Sequence, residues 1–169
     1  MKFDDFVIGY KGSLARQVTR KYNDEFAEIS GDFNPIHFDD EVGRRFGFKS
    51  AISNGFVTES RVAGALVKTF GSENTIVVAL EKNTRFLAPV YMGDVITATV
   101  EVVGRLKAMK ALKIKATCYN QSNVQVADTN MVIKILENSN MLNFFTLFNC
   151  HSTHHHMSYT HTGPHKHIF

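Results

Sequence analysis

The chain has 169 residues, 44% of them hydrophobic, and a formal net charge of +3. That is enough apolar chain for one globular domain with its own core, plus a remainder. The 19 Lys and Arg residues are scattered with no run among them, which argues against a nucleic-acid partner, and no apolar stretch reaches the length of a membrane span.

The first six residues, Met1 to Phe6, carry two aspartates and lack both the apolar run of a signal peptide and the Arg-rich character of a mitochondrial presequence. The two cysteines, Cys118 and Cys150, make no disulfide framework, so a cytoplasmic, reducing setting is expected. A strand is expected first, then helices. Residues 23–29 read as a short helix that Asn23 caps, with Asp24 and Glu25 suited to its positive end. After it, Ser30-Gly31-Asp32-Phe33-Asn34-Pro35-Ile36-His37 cannot be regular structure. Gly31 permits backbone angles closed to other residues, and Pro35 fixes its own φ while pushing Asn34 towards an extended conformation. The loop holds a carboxylate, Asp32, and an imidazole, His37, which together suffice to move a proton to or from water. Two readings are open on spacing alone: that proton chemistry, or an ordinary turn in which Asp32 caps a helix and His37 is a surface residue.

Asp39 or Asp40 is expected to start a further short helix that Gly47 stops. Residues 55–70 follow as a longer helix. Its apolar positions Phe56, Val57, Val62, Ala63, Leu66, Val67 and Phe70 cover much of the circumference, which predicts a buried helix with Glu59, Arg61 and Lys68 as its few charges. The period then changes. Ile96, Ala98, Val100 and Val102 alternate with polar residues, as do Leu112, Ile114, Ala116 and Cys118; both runs are strands with one buried face. Residues 76–86 and 124–136 are two more strands. In the last, the apolar phase switches between Val126 and Met131, which calls for a bulge or bend near Asp128. Turns are expected at 104–109 and 120–123. These elements define an α+β domain over residues 1–138, in which the apolar face of an antiparallel sheet wraps a helix.

Residues 139–169 differ in kind and are expected to form a disordered or loosely attached tail. Seven of the eight histidines lie there: His151, His154, His155, His156, His161, His165 and His167. Imidazoles at such density attract transition metals, but the absence of acidic residues and of periodicity argues against an ordered site. Leu142, Phe144, Phe145, Leu147 and Phe148 form an apolar patch, read either as one more element against the domain or as an aggregation liability.

The stretch Phe26-Ala27-Glu28-Ile29-Ser30-Gly31-Asp32-Phe33-Asn34-Pro35-Ile36-His37 closely resembles the signature of the MaoC-like, (R)-specific enoyl-CoA hydratases, also called hydratase 2. Two further segments agree. Ser53-Asn54-Gly55-Phe56 stands where that family opens its central helix, and Phe86-Leu87-Ala88-Pro89-Val90-Tyr91-Met92-Gly93-Asp94 resembles its strand connection. The resemblance covers about residues 7 to 137 and has two departures. Gly43 replaces the usual Ala or Ser, and Asn54 replaces a His. Neither position is expected to carry the proton chemistry; they bear on the substrate pocket and on packing at the helix start.

The resemblance implies a hot-dog fold with residues 55–70 as the central helix, and a homodimer formed edge to edge. It implies reversible hydration of a trans-2-enoyl thioester of coenzyme A or acyl-carrier protein, without metal or cofactor. Asp32 is expected to act as base, His37 to bind and shuttle the water, and the Gly55 N–H to hold the thioester oxygen. Ser30, Gly31, Asn34 and Pro35 would support the loop, while Phe33, Ile36 and Phe38 would pack it or line an acyl channel. Arg44, Arg45, Lys49 and Arg85 are candidates for meeting the carrier's phosphates. The rival readings are a hot-dog thioesterase, a non-catalytic acyl-thioester-binding protein, and a metal-binding protein driven by the tail.

Overall fold

The structure, a computed structural model, describes residues 1–138; the expectations for the tail lie outside the described residues. Five strands, β1 (Lys11–Gln17), β2 (Thr75–Phe86), β3 (Val95–Leu106), β4 (Ala111–Tyr119) and β5 (Gln125–Glu137), form one sheet in the order β1-β3-β4-β5-β2. Every neighbouring pair is antiparallel. Three α-helices lie between β1 and β2: α1 (Arg20–Ser30), α2 (Asp40–Arg45) and α3 (Gly55–Phe70). The α+β architecture expected from the sequence is the one observed, with the sheet curled about α3. No helix among the described residues is long and apolar enough to cross a membrane.

The alternation read from the sequence explains this arrangement. Register pairs Ala98 with Cys118, Val100 with Ala116 and Val102 with Ile114, so the apolar members of β3 and β4 share one face. That face is buried beneath Val62, Ala65, Leu66 and Phe70 of α3. Each such aliphatic side chain removed from water contributes about 1.5–3 kcal/mol. Gly64 lets α3 approach β1 closely, since a Cβ there would stand 2.7 Å from the Leu14 side chain. Phe6 closes one end of the core, its ring 5.2 Å from that of Phe70.

Two expectations need correction. α3 is not buried all round: Phe56 is 61% and Val67 64% exposed, because a sheet of five strands covers one side of the helix. Conversely, the charged Glu59 and Arg61 are buried. Glu59 is compensated by hydrogen bonds from the Thr84 and Thr129 hydroxyls and by an ion pair with Lys82. Arg61 donates to the Gln17 carbonyl at 3.2 Å and lies over the Tyr22 ring. Burial lowers the pKa of its guanidinium, as expected for a charge taken from water. The turn foreseen from Gly104 begins later, because β3 runs on to Leu106 through an irregularity that leaves Val103 unpaired. The bulge foreseen near Asp128 is present, at Val126, where Tyr119 pairs with Gln125 and Cys118 with Ala127. Val126 and Ala127 are consequently both buried, which accounts for the switch of phase.

Two stability predictions follow from these placements. Phe70→Ala removes a ring packed among Phe6 and Tyr10 and is expected to cost about 3–5 kcal/mol in urea unfolding, whereas Val67→Ala on the open face stays within about 0.5 kcal/mol. Hydrogen bonds from Lys115 and Arg85 hold the Asp128 carboxyl below the usual carboxylate range. Its folded pKa lies below its unfolded one, so the associated stability is present above the unfolded value, near about 4, and is lost as pH falls through the folded one. The stability deficit of Asp128→Asn is therefore expected to be full at neutral pH and to shrink in acid, as read by thermal melts across pH.

Candidate active site

The site is built where the loop after α1 meets the start of α3. Gly31 ends α1 at φ +76°, a left-handed turn for which glycine is favoured, with its N–H bonded to the Ala27 carbonyl. The Ser30 hydroxyl serves both ends of that turn: it donates to the Phe26 carbonyl at 2.6 Å and accepts from the Asp32 N–H at 3.1 Å. Asp32 Oδ1 then accepts from the Asn34 N–H, and Asn34 Oδ1 from the Ile36 N–H. Pro35 opens a short 3-10 turn that ends at His37. Each short polar side chain thus folds the backbone just beyond it. Asp39, as expected, caps α2, its Oδ1 accepting from the Glu41 and Val42 N–H groups.

This wrapping leaves Asp32 Oδ2 free to face the imidazole, 3.9 Å from His37 Nε2. His37 is anchored from the other side, with Nδ1 3.0 Å from the Ile52 carbonyl. A carbonyl only accepts, so this partner assigns the hydrogen to Nδ1 and leaves Nε2 as the bare nitrogen of the neutral ring. Arg20 donates to the backbone carbonyls of His37 and Phe38. Asn23, expected to cap α1, instead lies inside a helix that starts at Arg20, and is buried beneath the loop. Its Nδ2 donates to the His37 carbonyl at 3.3 Å, and its Oδ1 accepts from the Ser53 hydroxyl and the Asn54 N–H.

The sequence reading set Asn54 apart from the proton chemistry, but the structure puts it in contact with both members of the pair. Asn54 Nδ2 lies 2.6 Å from Asp32 Oδ2 and 3.4 Å from His37 Nε2. The local signal was present, since an Asn before a helical run is an N-cap, yet nothing local tied it to Asp32, 22 residues away. Gly55 follows as the first residue of α3. Of the N–H groups that open the helix, that of Asn54 bonds to Asn23, that of Phe56 to the Asn54 side chain and that of Val57 to the Asn54 carbonyl. The Gly55 N–H has no acceptor among the described residues. A Cβ on Gly55 would stand 2.8 Å from the Phe86 ring, so a larger residue here would require that half-exposed ring to shift.

A cavity of about 540 Å³ opens beside His37, Asn54 and Gly55, with Ile52, Phe56, Phe86, Leu87, Pro89 and Val126 among its walls. Asp32 is not a wall residue; it meets the cavity through His37 and Asn54. Phe33 and Phe38 do not line it either. They stack on each other, 6.3 Å apart, beside Arg20, and with Ile36 they pack the loop. The cavity is instead walled by the segment from Phe86 to Val90. Gly43 is buried where the Ser50 carbonyl crosses α2, leaving no room for the Ala or Ser of the resembled signature. Of the candidate phosphate ligands, Arg44 is paired with Glu41 and Arg85 with Asp128. Arg45 and Lys49 are exposed and form no ion pair among the described residues. No three His, Cys, Asp or Glu side chains gather as metal ligands among the described residues.

Known proteins resemble this chain along most of the domain. The family described as MaoC like domain matches residues 9–126. An (R)-specific enoyl-CoA hydratase of Rhodospirillum rubrum is 30% identical over 116 residues, covering 69% of this chain and 79% of that protein. A mitochondrial 3-hydroxyacyl-[acyl-carrier-protein] dehydratase of Arabidopsis thaliana is 29% identical, covering 78% of this chain and 80% of that protein. Among solved structures, the unliganded R-hydratase of Pseudomonas aeruginosa superposes with a TM-score of 0.71 at 26% identity, covering 80% of this chain and 86% of that one. With its helix-wrapping antiparallel sheet, this chain belongs to the MaoC-like family and has the hot-dog fold.

Proposed function

We propose that this protein reversibly hydrates trans-2-enoyl thioesters to (R)-3-hydroxyacyl thioesters. One observation carries the reading: the bare Nε2 of His37, 3.9 Å from the Asp32 carboxylate, shares an apolar cavity with the unpaired N–H of Gly55. Those are the groups the reaction needs. A water between Asp32 Oδ2 and His37 Nε2 is aimed at Cβ, with Asp32 accepting a hydrogen bond from one O–H. His37 Nε2 takes the other proton as the new C–O bond forms, and the proton is returned to Cα. The thioester oxygen gathers negative charge in between, where the Gly55 N–H and the positive end of α3 stabilise it. The anchoring of His37 Nδ1 on Ile52 favours His37 as the group that carries the proton, with Asp32 orienting the water.

The names of the relatives support a thioester of either coenzyme A or acyl-carrier protein. The exposed Lys49, next in sequence to the cavity residue Phe48, and the exposed Arg45 are the proposed contacts for the carrier's phosphates. A homodimer paired along β2 is part of this reading, because Ile76, Val78 and Leu80 leave apolar surface open on that edge strand. A cytoplasmic setting belongs to this reading; Cys118 is a free core residue whose thiol is pushed up to about 11 by burial.

Asp32→Asn and His37→Gln are each expected to lower kcat for crotonyl-CoA hydration by about 100- to 10,000-fold with the circular dichroism spectrum unchanged. Loss of enone absorbance measures the rate, and chiral analysis of the product checks the (R) configuration. Wild-type rates in either variant remove the pair from the mechanism.

A further inference from the structure

Asn54 does more than cap a helix. Its carboxamide has a fixed orientation, because Oδ1 accepts the Phe56 N–H at 2.9 Å and only the oxygen can accept. The amino group is thereby turned onto the pair, 2.6 Å from Asp32 Oδ2 and 3.4 Å from His37 Nε2, one hydrogen for each. The side chain has little freedom to leave: Asn54 is 5% exposed, and its backbone N–H is held at 3.2 Å by the buried Asn23.

We propose that Asn54 is the positioning residue of the hydration site, and that its amino group fixes where the protons of the Asp32–His37 pair reside. The proposal rests on the hydration reading above. Asp32 accepts on both oxygens, from the Asn34 N–H and, at short range, from the Asn54 amino group. His37 Nε2 faces an N–H and so presents its lone pair, while Nδ1 is committed to the Ile52 carbonyl. The resting site therefore favours one arrangement: Asp32 oxygens that accept, and a His37 ring whose Nδ1 carries the hydrogen while Nε2 accepts. The 3.4 Å contact to Nε2 is long, so a water O–H displaces it readily and finds the lone pair already presented. Asn54 touches neither the water's oxygen nor the substrate in this scheme; it acts through the two groups it holds.

The capping role alone makes a different prediction, because Asp and Ser cap helices about as well as Asn. Asn54→Asp keeps the shape and the cap but replaces the amino group with a second carboxylate oxygen. With crotonyl-CoA, kcat of Asn54→Asp is expected to fall about 100-fold with KM within about threefold, measured below a melting temperature that the carboxylate beside Asp32 lowers. Asn54→Ser, which keeps a cap but cannot reach the pair, is expected to lose about 10-fold in kcat. A second readout needs no substrate. In the full chain labelled with 15N-histidine, the His37 signal is identified by its absence from His37→Gln and distinguished from those of the other seven histidines. At neutral pH it is expected to show a hydrogen on Nδ1 alone in the wild type and on both nitrogens in Asn54→Asp. Wild-type kcat in Asn54→Asp, or a His37 signal that does not change, overturns the proposal. If Asn54→Asp fails to fold, the kcat of Asn54→Ser decides between the same two outcomes. A wild-type protein that hydrates no enoyl thioester overturns the hydration reading itself, and the His37 signal then decides the positioning claim on its own.

Discussion

One buried side chain ties the site to the fold. Asn23, 1% exposed, bonds to the His37 carbonyl through Nδ2 and to the Ser53 hydroxyl and the Asn54 N–H through Oδ1. It therefore sets the distance between the loop that carries the imidazole and the first turn of α3. A polar amide so deeply buried is tolerated only when its hydrogen-bonding capacity is met, and here it is met at both atoms. A small displacement of either segment would leave a buried donor or acceptor unpaired at a cost of about 1–3 kcal/mol, so α1, the loop and α3 are held as one unit. Preorganisation of the pair rests on this tie more than on the loop's own turns.

The sheet contributes to the site through its irregularities. The extra residue at Val126 puts consecutive side chains inside the fold, and Val126 becomes a wall of the cavity. Farther along β2 and β5, the same inner surface turns polar, where Thr84, Thr129 and Lys82 surround the carboxylate of Glu59. The interior beneath α3 is thus divided. An apolar end faces the cavity, and a compensated ionic cluster lies behind it.

Much of the fold was legible because its signals are local. Alternation identified the inner faces of β3 and β4, and the Gly55 and Phe70 limits of α3 coincide with those observed. The loop from Gly31 to His37 was legible because glycine, proline and short polar residues dictate their own backbone turns. What escaped was tertiary. Asn23 looks like a helix cap by composition, and only its 31-residue connection to Asn54 reveals it as a tie. Glu59 and Arg61 read only as the few charges of a buried helix, because periodicity cannot see the partners, Thr84, Thr129 and Tyr22, that arrive from other elements. Phe33 and Phe38 read equally as loop packing or as an acyl lining, and only their mutual stacking outside the cavity separates the two.

The missing side chain at position 55 ties the start of the helix to the sheet. With no methyl group to hold it off, the Phe86 ring rests against the backbone that opens α3, and Phe56 packs edge-on to that ring at 6.3 Å. Both rings stay more than half exposed, so the mouth of the cavity is a hydrocarbon rim that water still reaches.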